Sequence, residues 1–439
     1  MSWRRLLTVK LLAARSARYR NDSISAEATY SESAMSSLGQ VVIIWLGTRI
    51  AFGILTYFAI VYGSQYTTHG LQRAWLLNGG VTHFSQFLIA WQQWDAGWYD
   101  RITLHGYDTQ SVAFFPLYPL LIKALLTALS LLPISSQSSV SLSGILVSNL
   151  CALVAFAAIF LLASNESGTP RIAILTLLFL LSFPYAFFLT APYTESTFLA
   201  AAAIALLCAR RGRWLPAAIA AYLATLSRST GIILLAPLAW EYARQHGWLA
   251  LRAWTGSWWS RLERWRQVFA FAVLTLAAPL AVLTYMSYLQ WRFHNPLAFV
   301  AALKSPEWGR QAMVPWQAIP LYIDRFMAQP HYGFWWSEML LEGFLIAAFL
   351  GITAAAARTL PFSLTLYTVG LLLLVITAPT IRYDPLLSSG RYLLVSIPTF
   401  FALAHALDRH PAVGWSIIFA GTMLQAGFVT LWLTGAWVA

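Results

Sequence analysis

Charge is what this sequence has least of. Asp, Glu, Lys and Arg together make up 10% of its 439 residues, against 59% hydrophobic residues, and acids are the scarcer sign, 16 against 28 bases. Soluble domains carry about 25% charged residues. Such scarcity excludes a soluble chain, and apolar runs of about 20 residues recurring along the sequence indicate an all-α polytopic membrane protein. Cysteine is almost as rare. The two that occur, Cys151 and Cys208, lie within apolar runs, which argues against a disulfide framework and leaves them as small buried apolar residues. The 8 histidines form no i,i+4 pair and no cysteine cluster accompanies them, so no metal signature emerges. P-loop, Rossmann fingerprint and nucleophile elbow are missing, and no cofactor is expected.

The net charge of +12 does not mark a nucleic-acid binder. The arginines flank apolar spans, where they set topology and meet anionic membrane lipids. Residues 1–40 read as a cytosolic basic tail, with Arg4, Arg5, Lys10, Arg15, Arg18 and Arg20 ahead of a Ser-rich stretch. Residues 41–439 read as a single transmembrane domain of about eleven crossings, at roughly 41–63, 141–163, 171–190, 192–209, 214–228, 229–243, 268–291, 336–357, 361–379, 390–407 and 413–434.

The apolar stretch 112–132 is left out of that set because of charge. If it crossed, Arg210, Arg211, Arg213 and the basic segment Arg244–Arg266 would all fall outside, against the positive-inside rule. It is expected to lie flat at the outer interface, entered through Phe114-Phe115-Pro116-Leu117-Tyr118-Pro119; an ordinary crossing is the alternative. Two long outer segments follow, about 64–140 and 292–335. The Trp-rich basic segment 241–267 reads as an amphipathic helix on the cytosolic face.

Against this background one stretch of the first outer segment stands out: Trp94-Asp95-Ala96-Gly97-Trp98-Tyr99-Asp100. Carboxylates suit general-base work, and aromatic faces suit sugar rings or lipid headgroups. Asp95 and Asp100, five apart, would point about 140° apart on a helix, so a proton-sharing pair is disfavoured and a single base fits better. For Asp95 the plainer alternative is an N-cap. Glu195 begins a span after the hairpin Ala191-Pro192-Tyr193-Thr194. It is either an acid favoured at a helix N-terminus or a substrate contact. Arg228 sits between two half-length apolar runs, as in interrupted helices that line a cavity. Arg391, with Arg382 just before it, lies in Ser388-Ser389-Gly390-Arg391-Tyr392. Each arginine alone serves equally as an interfacial anchor. Opposite a carboxylate island, Arg228 and Arg391 favour a phosphate-bearing lipid, because the planar guanidinium bonds phosphate bidentately.

These stretches, with Tyr193-Thr194-Glu195-Ser196, Asn295-Pro296-Leu297-Ala298-Phe299 and Trp308-Gly309-Arg310, run in order over roughly 45–405. The chain so resembles the GT-C glycosyltransferases, and more narrowly the bacterial relatives of the PIG-V-like family, the second mannosyltransferase of GPI-anchor assembly. The resemblance implies a GT-C-type bundle with an interfacial helix in the first outer loop. It implies transfer of a sugar, mannose in eukaryotic relatives, from a polyprenyl-phosphate-linked donor to a hydroxyl of a lipid or glycan acceptor, with inversion and without a required metal. Asp95 matches the position of the base. On this reading Arg228, Arg391 and Arg382 meet the donor phosphate, while Trp94, Trp98, Tyr99, Asp100 and Glu195 meet sugar or acceptor. The expected location is the bacterial plasma membrane with the site facing outward, or the endoplasmic reticulum with a lumenal site in a eukaryote. The alternative function is a transporter or flippase of a lipid-linked sugar, which predicts internal pseudo-symmetry; the long loops and the half-length helix pair have no counterparts.

Overall fold

The structure, a computed structural model, describes residues 38–62, 83–130, 136–249, 262–306, 308–381 and 384–438. The basic tail up to residue 37, residues 250–261 of the Trp-rich segment, Glu307 and Arg382 lie outside the described residues.

Helices account for nearly everything described. In chain order they are α1 Leu38–Tyr62, α2 His83–Ala90, α3 Asp95–His105, α4 Leu117–Leu129, α5 Ser136–Ser167, α6 Pro170–Leu181, α7 Glu195–Arg210, α8 Trp214–Ser227 and α9 Leu235–Gln245. There follow α10 Leu262–Phe293, α11 Ala298–Lys304, α12 Pro315–Ala328, α13 Phe334–Ala356, α14 Phe362–Thr377, α15 Ser389–Leu393, α16 Ile397–Leu407 and α17 Pro411–Leu433. Among the described residues the extended pairing is a single isolated antiparallel bridge, Arg310 with Thr380.

Five helices, α1, α5, α10, α13 and α17, are long and apolar enough to cross a membrane, and each coincides with an expected crossing. The protein is a polytopic membrane protein. The other six expected crossings are shorter or broken. At 1.5 Å per residue the 12 residues of α6 rise only about 18 Å, well under the roughly 30 Å of a hydrocarbon core. After α6 the chain leaves the helix at Ser182, turns through a 3-10 segment at Ala186–Leu189 and reaches α7. Between α8 and α9 runs a second 3-10 segment, Ser229–Leu234, and α15 and α16 are separated at Leu394–Ser396. The stretch expected to lie at the interface forms α4, 13 residues long, introduced by Pro116 and packed on α3 and α5.

The centre of the bundle is α7, buried along almost its whole length. Its Ala200, Ala201, Ala202, Ala203, Ala205 and Ala209 are buried, as are Ala217, Ala218, Ala220, Ala221 and Ala224 of α8, and α7 packs mainly on α5 and α8. Small side chains let backbones approach closely where lipid gives no hydrophobic drive to association. One end of α7 carries Glu195. At the other, about 22 Å away by helical rise, Arg210 forks onto both oxygens of Glu166 at 2.7 Å and reaches Glu241 at 3.1 Å. Glu241 is buried and also accepts from Gln245 (2.7 Å) and Ser363 (3.0 Å). This second polar network has its carboxylates well bonded and ties α5, α7, α9 and α14 together. In α1, Arg49 donates to the Thr190 hydroxyl, which fastens that span to the hairpin leading into α7.

The break after α8 needs glycine. A Cβ on Gly231 would sit 2.5 Å from the backbone Cα and N of Thr225, atoms that cannot move without unwinding α8. Gly231→Ala is therefore expected to lower stability by about 1–3 kcal/mol, the usual cost of overpacking. Gly53→Ala in α1, where no heavy atom lies within 4 Å, is expected to be neutral or mildly stabilising. Thermal unfolding of the two purified variants in one detergent checks the contrast.

Candidate active site

Four charged side chains from four elements meet at one end of α7. Asp95 opens α3, Glu195 opens α7, Arg228 caps the end of α8 and Arg391 sits in α15. Arg391 Nη1 donates to Asp95 Oδ2 at 2.9 Å and its Nε to Glu195 Oε1 at 2.8 Å. Arg228 Nη1 donates to the same Glu195 oxygen at 2.6 Å. The result is an alternating row, Asp95–Arg391–Glu195–Arg228, charge-neutral as a whole. Glu195 is fully buried, and Arg391 and Arg228 expose 8% and 14% of their side chains. Losing one partner of such a buried pair strands the other's charge, which costs far more than losing a surface pair.

Local backbone puts each group in place. Both acids begin helices, where the N-terminal dipole favours a negative charge. Trp94, just before Asp95, has φ 50, a left-handed conformation that a bulky residue adopts only when its surroundings impose it. Tyr193 helps to impose it: its hydroxyl accepts the Asp95 N–H at 3.0 Å and donates to the Gln93 carbonyl at 2.9 Å. The Tyr193 ring also lies 4.6 Å from the Arg391 guanidinium, a cation–π distance. Ser388, ahead of α15, is likewise left-handed (φ 68). The next turn is closed by Glu342, which accepts the Ser389 N–H at 3.0 Å. At Gly390 an added Cβ would strike the Tyr185 ring at 2.2 Å, so only glycine lets α15 approach that wall. Arg228 is extended (φ −150, ψ 138), which ends α8 and turns the guanidinium toward Glu195.

The row borders a cavity of about 740 Å3. Asp95, Arg228 and Arg391 line it, with Trp94, Trp98, Tyr99, Phe114, Trp308, Arg310, Tyr392 and Trp437 among its walls. Of the expected site residues, the structure gathers Asp95, Arg228, Arg391, Trp94, Trp98 and Tyr99 around this space. Glu195 is in the cluster but behind the arginines, not on the cavity wall. Asp100 is not at the cavity: its turn of α3 faces the packing with α4, where it is 7% exposed and its Oδ1 has no hydrogen-bond partner among the described residues. Arg382 lies outside the described residues. The sequence reading did not place Tyr193, Arg310, Tyr392 or Trp437 in the site. Arg310 had a signal in Trp308-Gly309-Arg310; Trp437 had none.

Asp95 Oδ2 is held by Arg391, while Oδ1 makes no hydrogen bond among the described residues and belongs to a side chain 15% exposed at the cavity. A carboxylate with one oxygen anchored and one open can accept a proton from a hydroxyl brought to it. Beside it, guanidinium groups suit a phosphate, and indole and phenol rings suit a sugar face. Among the described residues no group of three or more His, Cys, Asp or Glu is arranged to hold a metal ion.

The profile of the family described as Mannosyltransferase (PIG-V) matches residues 78–348. A search of curated proteins finds no match. Among solved structures, the chain is similar to the Archaeoglobus fulgidus oligosaccharyltransferase in the apo form, at 14% identity and a TM-score of 0.37, covering 88% of this chain and 55% of that one. The same enzyme complexed with Zn and sulfate gives 12% identity, a TM-score of 0.39, and coverage of 78% and 48%. The A. fulgidus oligosaccharyltransferase AglB in complex with an inhibitory peptide and a dolichol-phosphate gives 12%, 0.34, 79% and 51%. The chain thus spans about half the length of these structures.

Two outcomes are expected from the charges. Glu195→Ala removes the counter-charge of two buried guanidinium groups and should cost about 3–5 kcal/mol, read as a large drop in the thermal midpoint. Asp100 behaves oppositely. Burial pushes its carboxyl up to about 7, so the folded form keeps a proton that the unfolded chain releases near the ordinary value of about 4. At this site the folded state binds the extra proton between about pH 4 and 7, so the contribution of Asp100 to stability falls as pH rises through that window. The thermal midpoint of wild type should fall relative to that of Asp100→Asn as pH rises from about 4 to 7, and a difference between the two that does not change with pH would contradict this.

Proposed function

Since the chain belongs to the PIG-V mannosyltransferase family, we propose that it is an integral-membrane glycosyltransferase. On this reading it moves mannose from a polyprenyl-phosphate-linked donor to a hydroxyl of a lipid or glycan acceptor, with inversion, at the outer face of the membrane. The observation that carries the reading is the open oxygen of Asp95 at a cavity edged by Arg391 and Arg228.

In the proposed reaction the donor's prenyl tail stays in the bilayer and its headgroup enters the cavity. Asp95 takes the proton of the acceptor hydroxyl. That oxygen bonds to the anomeric carbon from the face opposite the phosphate, and the bond from that carbon to the phosphate oxygen breaks. The electron pair leaves with the lipid phosphate, whose developing charge Arg228 and Arg391 stabilise. Arg391 retains an N–H group beyond those used in the row: its Nη2 makes no hydrogen bond among the described residues. Trp94, Trp98 and Tyr99 pack against the sugar. Glu195, away from the cavity, holds the two arginines apart and aimed, and Asp100 supports α3 rather than touching sugar. Outward orientation is supported by the charge pattern: Arg210, Arg211 and Arg213 lie at the end of α7 opposite the cavity, the end the positive-inside rule assigns to the cytosol.

The test is transfer of label from radiolabelled polyprenyl-phosphate mannose to a membrane lipid extract by purified protein. Wild type should form a labelled product, and Asp95→Asn should fold normally yet lose about 10²–10⁴ in rate, the usual contribution of a general base. Near-wild-type activity of Asp95→Asn would contradict the role of Asp95. Donor binding without transfer by wild type, coupled to movement of donor across liposomes, would replace the transferase reading with a flippase.

A further inference from the structure

We infer that Arg310 is the cavity's anchor for the donor phosphate, a role that rests on the donor reading above and adds to it a residue from a different part of the chain. Charge counting leads to it. Among the described residues at the site, Arg228 and Arg391 are offset by Glu195 and Asp95, so the row offers no net positive charge to an incoming anion. Arg310 lines the same cavity. Its Nη1 and Nη2 donate to the Ala378 and Leu387 carbonyls, each at 3.0 Å, which orient it without neutralising it. Among the described residues no carboxylate lies within ion-pair distance of it. Among the described residues, the row and Arg310 together carry one net positive charge, which matches the single negative charge of a phosphodiester such as a prenyl-phosphate sugar.

Position and rigidity agree with the charge. The Arg310 guanidinium carbon lies 5.5 Å from the centre of the Tyr392 ring, and that of Arg228 lies 4.9 Å from the same ring. Tyr392 therefore packs against both guanidinium groups, and both line the one cavity. The backbone on either side of Arg310 is fixed to the chain leaving α14. Ile381 N–H donates to the Gly309 carbonyl at 2.9 Å, Gln311 N–H to Pro379 at 3.0 Å and Met313 N–H to Thr377 at 2.8 Å. Gly309 is buried with φ 58, a turn that presents the next side chain to the cavity and that glycine adopts freely. A guanidinium held this way loses little rotamer freedom on binding phosphate.

The experiment needs neither sugar nor acceptor. Full-length protein in nanodiscs is titrated with farnesyl phosphate and, as the neutral control, farnesol, following the fluorescence of the cavity tryptophans. Wild type should bind the phosphate at least about tenfold more tightly than the alcohol, in line with a charge-assisted hydrogen bond. Arg310→Gln should lose that preference with farnesol affinity unchanged, and Arg310→Lys should keep part of it. A second readout uses unmutated protein, because Arg310 also braces two carbonyls. Farnesyl phosphate, and not farnesol, should protect Arg310 from phenylglyoxal, mapped by mass spectrometry. A full phosphate preference in Arg310→Gln, or an Arg310 modified equally fast with either ligand, overturns the inference and leaves the donor reading standing. No phosphate preference in wild type overturns both.

Discussion

A carboxylate with no access to water, placed at the start of a helix in the middle of the bundle, constrains this molecule more than any other group. Glu195 can stay charged there only if cations come to it, and two do, both to one oxygen. That requirement draws together α7, the end of α8 and the short helix α15, elements far apart in sequence. Arg391 then extends the row to Asp95 and fixes one of its oxygens. The geometry of the cavity rim is thus a consequence of compensating a buried charge: the arginines are held by Glu195, the acid of α3 is held by an arginine, and a hydroxyl of the α7 hairpin clamps the backbone of that acid. Glu195, farthest from the cavity, organises the groups nearest to it.

The same requirement explains why the bundle is not a set of simple crossings. Spanning helices satisfy their own backbone groups and need nothing from their neighbours. Helices α1, α5, α10, α13 and α17 are of this kind. Those that build the site, α6 through α9 and α14 through α16, are short and interrupted, and irregular backbone is tolerated at membrane depth where it is enclosed by protein or lines a cavity. The interruptions have named partners: Gln425 of α17 donates to the carbonyls of Leu181 and Phe183 where α6 ends, and Tyr367 of α14 donates to that of Val395 between α15 and α16. Both of these breaks are satisfied by a helix that continues past them.

Much of this was legible in the sequence, for a physical reason. Charge is expensive in an apolar chain, so the few charged residues carry unusual information, and Asp95, Glu195, Arg228 and Arg391 all emerged from that argument. The five long crossings were legible because their apolar runs are continuous. What stayed hidden depends on three-dimensional contacts. Residues 171–190 and 390–407 are apolar enough to read as unbroken crossings, but their breaks are fixed by hydrogen bonds from α14 and α17. Asp100 has the same chemistry and neighbourhood as Asp95, yet its place around α3 turns it toward α4. Arg310 lay in a motif with no assigned partner, because its approach to the cavity depends on residues 309–313 pairing with residues 377–381, some seventy positions on.

If the neutral Asp95–Arg391–Glu195–Arg228 row is one wall of a lipid-phosphate-sugar site, a bound donor must lie against it. A cryo-electron-microscopy structure of the protein with a non-hydrolysable prenyl-phosphonate analogue of the mannose donor tests it directly. The phosphonate should lie against the arginines of the cavity, with the anomeric carbon turned toward the open oxygen of Asp95 and room between them for one hydroxyl group. Headgroup density outside this cavity, or a sugar with its phosphonate rather than its anomeric carbon against Asp95, would contradict it.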